Sequence, residues 1–229
     1  MRTLSVLALS LLLSTSTVAS TINVPADYDS IQGAIDAAAH GDTVLVAPGT
    51  YVENIDFLGK AICVRSSEGP ELTFIDAGNP EDPDFGSAVR FLSNEGLDSI
   101  LDGFTLMKGT GTKTVIWTGA IYYMGGGCCC DHASPLLRNN RFMDNAPVRG
   151  GGISCYFASP VIEGNHFSGN TAYGAGIYCI NECEPRIARN TIIDNTGQGI
   201  YCSYNCNPII EHNLISGNVS TSSGGGIYC

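Results

Sequence analysis

The sequence has few basic residues and lacks long apolar runs. Its 22 aspartates and glutamates outnumber its 11 lysines and arginines, which gives a formal net charge of −11 at pH 7. A chain of this sign repels phosphate backbones, and its basic residues form no stripe, so nucleic acid is not expected as a partner. After residue 20, no segment reaches the roughly 20 apolar residues that a membrane-spanning helix needs, so no membrane span is expected.

The N-terminal segment has the composition of a secretory signal peptide. Arg2 supplies a short positive region, residues 4–13 form an apolar stretch, and residues 18–20 (Val-Ala-Ser) suit cleavage by signal peptidase. We therefore predict a signal peptide at residues 1–20, a single domain at residues 21–229, and a protein that is secreted or displayed at the cell surface.

Long helical stretches are absent from the second half, which instead repeats every 23–25 residues. Four segments that begin with proline align: PLLRNNRFMDN from Pro135, PVIEGNHFSGN from Pro160, PRIARNTIIDN from Pro185 and PIIEHNLISGN from Pro208. Each runs into a glycine-rich turn and a second short apolar segment, such as GGGISC or GAGIYC. A period of this size indicates a solenoid, and short apolar segments broken by asparagine and glycine indicate strands. We predict a parallel β-helix.

Two columns of asparagine recur in these coils. The first comprises Asn140, Asn165, Asn190 and Asn213, and the second comprises Asn145, Asn170, Asn195 and Asn218. Asparagine tolerates the left-handed backbone of a sharp corner, and its amide can reach the equivalent amide about 4.8 Å away in the next coil. Surface turn residues would vary among Asn, Asp and Gly. We therefore predict that these asparagines form the corners and two hydrogen-bonded ladders that fix the register.

The first half is less regular. Residues 30–39 (SIQGAIDAAA) place apolar side chains at helical spacing and predict a short helix that caps the open end of the solenoid. We predict a cap at residues 21–41, irregular coils at residues 42–124 and regular coils at residues 125–229. Strands are predicted at residues 43–47, 61–65, 72–76 and 88–92.

The C-terminal edge has no recognisable cap. The sequence stops at Cys229, inside the repeated segment GGGIYC. Stacked coils leave unpaired backbone groups at their last turn. We expect that the sequence belongs to a longer protein, or that another chain covers this edge.

The ten cysteines first suggest disulfides, but most follow the repeat. Five of them stand two residues after an inward-facing position and are expected to point into the core as small apolar side chains: Cys130, Cys155, Cys179, Cys202 and Cys229. Cys183 and Cys206 occupy a second equivalent position, where they could bridge to each other or to Cys179 and Cys202 respectively.

A metal site is the alternative for residues 128–132 (CCCDH), since thiolates and an imidazole could hold zinc or Cu(I). Strand alternation sends Cys129 away from its neighbours, and the repeat already explains Cys128 and Cys130. We therefore predict no metal and no cofactor.

The residue between the two inward columns must face outward. Cys129, Ser154, Tyr178, Tyr201 and Tyr228 occupy this position in successive coils. The three tyrosines predict an exposed aromatic stripe parallel to the solenoid axis. Such a stripe is either a ladder that favours strand pairing or a platform on which a polysaccharide stacks. Tyr178, Tyr201 and Tyr228 are the candidate binding residues.

A second pair of neighbours faces outward on another side of the coils. Arg138 and Glu163 occupy equivalent sites in adjacent coils. We interpret them as a solvated ion pair and not as a catalytic acid/base pair.

Residues 23–55 (NVPADYDSIQGAIDAAAHGDTVLVAPGTYVENI) resemble the opening of pectin-lyase-like β-helix proteins. The later coils resemble the parallel β-helix repeats of secreted bacterial proteins in that superfamily. The resemblance implies an all-β fold, a right-handed parallel β-helix with a short N-terminal capping helix. This fold hosts lyases, hydrolases, esterases, adhesins and binding proteins, so it does not fix an activity.

No catalytic set of the superfamily transfers to this sequence. Residues 49–53 (GTYVE) match the GxYxE opening of pectin methylesterases, but the motifs for that family's aspartate pair, glutamine and arginine are missing. The calcium site of pectate lyases and the paired aspartates of polygalacturonases have no counterpart either. We expect a non-catalytic protein that binds polysaccharide or serves as an extracellular scaffold. The alternative is a polysaccharide lyase or hydrolase whose catalytic residues are unrecognised or lie in a missing C-terminal part.

Overall fold

The computed structural model describes residues 18–222 and 224–229. Residues 1–17, which make up most of the predicted signal peptide, lie outside the described residues. The first half of the described chain contains β1 (Thr21–Val24), α1 (Ile31–Ala37), β2 (Thr43–Val46), β3 (Gly49–Tyr51), β4 (Ile55–Asp56), β5 (Cys63–Ser66), β6 (Thr73–Asp76), β7 (Phe85–Gly86), β8 (Val89–Phe91), β9 (Ile100–Asp102), β10 (Thr105–Met107), β11 (Gly111–Val115) and β12 (Ile121–Met124). The second half contains β13 (Cys128–Asp131), β14 (Leu136–Arg138), β15 (Arg141–Met143), β16 (Ile153–Tyr156), β17 (Val161–Glu163), β18 (His166–Ser168), β19 (Ile177–Ile180), β20 (Arg186–Ala188), β21 (Thr191–Ile193), β22 (Ile200–Ser203), β23 (Ile209–Glu211), β24 (Leu214–Ser216) and β25 (Ile227–Tyr228).

Most of these strands stack into three parallel sheets, which are the three faces of a β-helix. Sheet 1 has the order β1-β2-β5-β9-β14-β17-β20-β23, sheet 2 the order β3-β6-β10-β15-β18-β21-β24, and sheet 3 the order β4-β8-β13-β16-β19-β22-β25. Each regular coil contributes one strand to each sheet. The predicted fold, a parallel β-helix with a short N-terminal helix, is confirmed.

The core is filled by alternate side chains of each strand, in the register that the repeat predicts. In sheet 3, Cys128 lies opposite Ile153, and in sheet 2 the stacked rings of Phe142 and Phe167 lie 4.7 Å apart. The predicted cysteine column is confirmed as part of the core: Cys130, Cys155, Cys179 and Cys202 are buried, whereas Cys229 in the last coil is exposed.

Two ladders of asparagine join successive coils. Asn165 shows the pattern: its Oδ1 accepts a hydrogen bond from the backbone N–H of Asn140 at 2.9 Å, and its Nδ2 donates to Oδ1 of Asn190 at 3.1 Å. The same Nδ2 donates to the carbonyl of Leu137 at 2.9 Å. Equivalent bonds run along the second column, as between Asn145 and Asn170. The predicted ladders are therefore confirmed.

The sharp corners are not made by the ladder asparagines, and that prediction is wrong. The left-handed conformation falls on the exposed residue just before each ladder position: Asn139, Gly164, Arg189 and His212 in the first column, and Asp144, Gly169, Asp194 and Gly217 in the second. The buried amide is held by hydrogen bonds to both neighbouring coils, so the backbone turns at the residue before it.

Helix α1 packs over the first coil, as the sequence predicts. Ile31, Ala34 and Ile35 are buried, and the Ser30 side chain accepts a hydrogen bond from the N–H of Gly33. The Glu53 carboxylate accepts two further N–H groups at the start of the helix, at 2.9 Å each. Among the described residues no helix is long and apolar enough to cross a membrane.

The irregular half departs from the predicted strands in one important place. Three of the four predicted strands appear as β2, β6 and β8, and the fourth, β5, begins two residues later than predicted, at Cys63. The departure is the pair β11 and β12, which form an antiparallel hairpin that also pairs with β7. We call residues 111–124 the hairpin. It projects from the solenoid and lies over the outer face of sheet 3.

Candidate ligand-binding pocket

The three candidate tyrosines form one column on the outer face of sheet 3. Tyr178 lies opposite Tyr201, which lies opposite Tyr228. Their rings stack with centroids 5.2 and 4.8 Å apart and planes within 10° and 2° of parallel. The predicted outward column is therefore present.

The prediction that this column is exposed is wrong for two of its three members. Tyr178 is 2% exposed and Tyr201 9%, whereas Tyr228 is 41% exposed. Tyr178 and Tyr201 belong to a second apolar cluster outside the solenoid, which Met124 and Tyr122 of the hairpin join. The ring centre of Tyr173 lies 4.7 Å from that of Tyr201 and adds to the cover.

Stacking also changes what the column can offer to a ligand. The facing ring surfaces of Tyr178, Tyr201 and Tyr228 cover one another, so they are not available to a sugar. Burial raises the pKa of Tyr178, so its hydroxyl stays protonated at neutral pH and can both donate and accept hydrogen bonds. The column presents ring edges and hydroxyls, not a flat platform.

A pocket of about 320 Å³ lies between the hairpin and the outer face of sheet 3. Two of its aromatic side chains are largely exposed: Trp117 at the tip of the hairpin (61%) and Tyr204 just after β22 (60%). Their rings meet edge to face, with centroids 6.0 Å apart. The lining consists of Ile116, Trp117, Thr118, Tyr122, Met124, Arg149, Tyr173, Tyr178, Ile180, Tyr201 and Tyr204.

Arg149 is the one charged residue in this lining. Its guanidinium carbon lies 4.2 Å from the ring centre of Tyr122, 5.1 Å from that of Tyr173 and 5.6 Å from that of Tyr178. It reaches this position because its backbone bridges Met124 in the preceding coil and Tyr173 in the following one. Its Nη1 donates to the hydroxyl of Tyr178 at 3.4 Å.

The repeat pattern predicts only the tyrosine column of this pocket, and the other lining residues were not predicted. Trp117 is the single tryptophan of the chain and lies outside the repeat. Gly119 turns the hairpin with a φ of 82°, so the segment Trp-Thr-Gly between two apolar stretches was the available signal. Arg149 and Tyr204 occupy turns whose equivalents in other coils carry unrelated residues, so no column marks them.

Residues 128–132 do not assemble as a metal site. Cys128 and Cys130 point into the core, whereas Cys129 points outward and is covered by its neighbours. Burial raises the pKa of Cys129 to about 12, so it is a thiol and not a thiolate at neutral pH. In the described part of the chain no group of three or more His, Cys, Asp or Glu residues is placed to hold a metal. All ten cysteines are free thiols, including Cys183 and Cys206.

The predicted ion pair between Arg138 and Glu163 does not form, although the two residues are direct neighbours in sheet 1. Arg138 instead binds Asp102 in the preceding coil, with Nε 2.9 Å from Oδ2. Glu163 binds Arg186 at 3.1 Å and also Arg189. Each side chain is nearer to an opposite charge on its other side, so the prediction of this pair is wrong.

Comparison with known proteins identifies the architecture. The family described as right handed beta helix region matches residues 106–229, which include the hairpin and all the regular coils. No curated protein matches the chain. The match covers more than half of the chain, and so the protein belongs to the right-handed β-helix family.

Proposed function

We propose that this protein is an extracellular β-helix protein that binds carbohydrate without catalysis, at the pocket between the hairpin and sheet 3. The observation that carries the proposal is the pair of exposed aromatic side chains, Trp117 and Tyr204, beside the hydroxyls of the tyrosine column. Aromatic faces bind the apolar C–H face of a sugar, and hydroxyls bind its polar edge.

The shape of the pocket favours the end of a glycan chain over its interior. A cavity of about 320 Å³ is at the lower limit of ligand pockets, which span about 300–1,000 Å³. The hairpin covers Tyr178, so a long polymer cannot lie along the whole column. The proposed ligand is therefore one or two sugar rings that enter beside Trp117, and not a polysaccharide that lies along the solenoid axis.

The composition of the lining favours binding over bond cleavage. Glycoside hydrolysis uses a pair of carboxyl groups that flank the scissile bond. No Asp, Glu or His belongs to this pocket's lining within the described residues. A lyase or hydrolase remains the alternative function, and a hydrolase would have to take its carboxyl pair from outside this pocket.

Binding of immobilised glycans, followed by calorimetry with the oligosaccharides that bind, tests the proposal. Replacement of Trp117 and Tyr204 by alanine should weaken binding at least tenfold, because both stacking faces are removed. The matched control is Tyr28→Ala, which removes an exposed aromatic side chain outside the pocket and should leave binding unchanged.

Three results would overturn the proposal. The double variant could retain the affinity of the parent protein, which would place the site elsewhere. No glycan could bind at all, which would favour a scaffold. New reducing ends, or unsaturated products that absorb near 235 nm, could appear on incubation with pectin or alginate, which would favour the enzyme.

A further inference from the structure

Arg149 is an unusual arginine in this protein. It is half-buried, and its Nε is buried without a hydrogen-bond partner. No carboxylate pairs with it among the described residues, although the chain has twice as many acidic as basic residues. A cation withdrawn from water is costly unless it is paired, and the three tyrosine rings compensate it only in part.

The other arginines of the described chain either pair with a carboxylate or are exposed to solvent. Five of them bind an Asp or Glu carboxylate: Arg90, Arg138, Arg141, Arg186 and Arg189. Arg65 is the sixth, and it is exposed to solvent. Among the described arginines, only Arg149 is both half-buried and without a carboxylate partner.

We propose that Arg149 binds the carboxylate of an acidic sugar whose ring lies in the pocket. This inference rests on the proposed carbohydrate binding and names the ligand class. The guanidinium is the single charge in a lining that is otherwise aromatic, aliphatic or hydroxylic, so it meets no competing carboxylate. A charge-assisted hydrogen bond in such a setting is stronger than a neutral one.

The charge of the whole chain narrows this class further. The net charge of −11 opposes the approach of a polyanion, and this repulsion acts over about 8 Å at physiological ionic strength. One carboxylate at the end of an otherwise neutral glycan meets the local cation of Arg149 at little electrostatic cost. The preferred ligand is therefore a neutral oligosaccharide that ends in one acidic sugar, and not a polyuronate.

Calorimetry with three matched disaccharides tests the inference on the unmodified protein. The probes are a disaccharide with a terminal glucuronate, its methyl ester, and the equivalent neutral disaccharide with a terminal glucose. The acid should bind at least tenfold more tightly than the ester or the neutral sugar. Polygalacturonate should bind no better than the ester.

Variants then assign the preference to one residue. Arg149→Met keeps an apolar stem against the tyrosine rings and should reduce the preference for the acid to less than twofold. Arg149→Lys keeps the charge and should retain part of the preference. Arg65→Met is the matched control, because it removes the same charge from an exposed site outside the pocket, and it should keep the full preference.

The outcomes separate this inference from the proposed function. Equal binding of acid, ester and neutral sugar overturns the role of Arg149 and leaves carbohydrate binding intact. A preference that survives in a folded Arg149→Met protein does the same. If none of the three probes binds and the glycan survey is also empty, carbohydrate binding itself fails.

Discussion

The inner and outer faces of sheet 3 are built from the same strands but follow different rules. On the inner face, every regular coil places an isoleucine or cysteine followed two residues later by a cysteine, and these positions are buried up to the last coils. On the outer face, the corresponding position changes from Cys129 and Ser154 to Tyr178, Tyr201 and Tyr228. Burial falls towards the C-terminal end on both faces, since Ile227 on the inner face is 47% exposed and Tyr228 on the outer face is 41% exposed.

The difference between the two faces shows which interactions depend on the repeat and which depend on the hairpin. Side chains on the inner face pack against the equivalent side chains of the next coil, so the repeat alone accounts for their contacts. The outer face is shaped by the hairpin, a segment that occurs once. Features that distinguish this protein from any other stack of coils are therefore expected on the outer face, where the pocket lies.

The largest effect is expected from the asparagine ladders that hold successive coils in register. Asn170→Ala removes the acceptor of the Asn145 backbone N–H and Nδ2, and the donor to the Phe142 carbonyl and to Asn195. Each buried polar group left without a partner costs about 1–3 kcal/mol, and partial relaxation recovers some of this. We expect the free energy of unfolding to fall by about 4 kcal/mol, measured by urea denaturation.

The neighbouring residue provides the control for this ladder prediction. Thr171 is exposed in the same coil, and Thr171→Ala should change stability by less than about 0.5 kcal/mol. A loss below about 1 kcal/mol in Asn170→Ala would show that the ladder contributes no more than an ordinary surface hydrogen bond.

A somewhat smaller effect should separate two members of one outer column. Tyr178 is 2% exposed, between two stacked coils, and Tyr228 in the last coil is 41% exposed, although the two rings occupy the same position in their coils. Tyr178→Ala should lower the free energy of unfolding by about 3 kcal/mol, as expected for a buried aromatic ring. Tyr228→Ala should lower it by less than about 1 kcal/mol. Equal losses would contradict the difference in burial between the two rings.

The repeat made the inner face and both ladders predictable from sequence. Position alone assigned Cys179 to the core and Asn165 to a ladder, because each has equivalents in the neighbouring coils. The corner geometry was misassigned, since the left-handed residues Asn139 and Arg189 share no side-chain type that would reveal a common backbone conformation.

The outer face was only half predictable for a physical reason. Strand alternation fixed the direction of Tyr178, but its burial depends on a non-local contact with the hairpin. The same contact brings Trp117 to Tyr204, which lies 87 residues further along the chain. No periodicity links these two segments, so the pocket could not be predicted from the sequence.

A third prediction compares two thiols of the inner column. Cys179 is buried and Cys229 is exposed at the last coil. If the column acts as small apolar packing, Cys179→Ala should cost about 1 kcal/mol for the loss of one buried atom, and Cys229→Ala should cost almost nothing. Denaturant unfolding under reducing conditions measures both variants. A gain in stability from Cys179→Ala would contradict a packing role.

The last prediction concerns the corner between sheets 3 and 1. Here the expected effect is on the reactivity of a thiol and not on the stability of the protein. A hydrogen bond from Cys183 lowers the pKa of Cys206 to about 7, whereas partial burial raises the pKa of Cys229 to about 11. Since the thiolate is the reactive form, Cys206 should be alkylated by iodoacetamide with a midpoint near pH 7, and Cys229 should react little below pH 9.

Peptide mass spectrometry after timed alkylation would measure both sites in one experiment. Cys183→Ala removes the hydrogen bond that stabilises the Cys206 thiolate, so the midpoint of Cys206 should rise towards the ordinary thiol range near pH 8.5. A midpoint that stays near 7 in this variant would show that Cys183 does not control the pKa of Cys206. A rise would show that a repeat position inside the solenoid sets the chemistry of its partly exposed neighbour in the next coil.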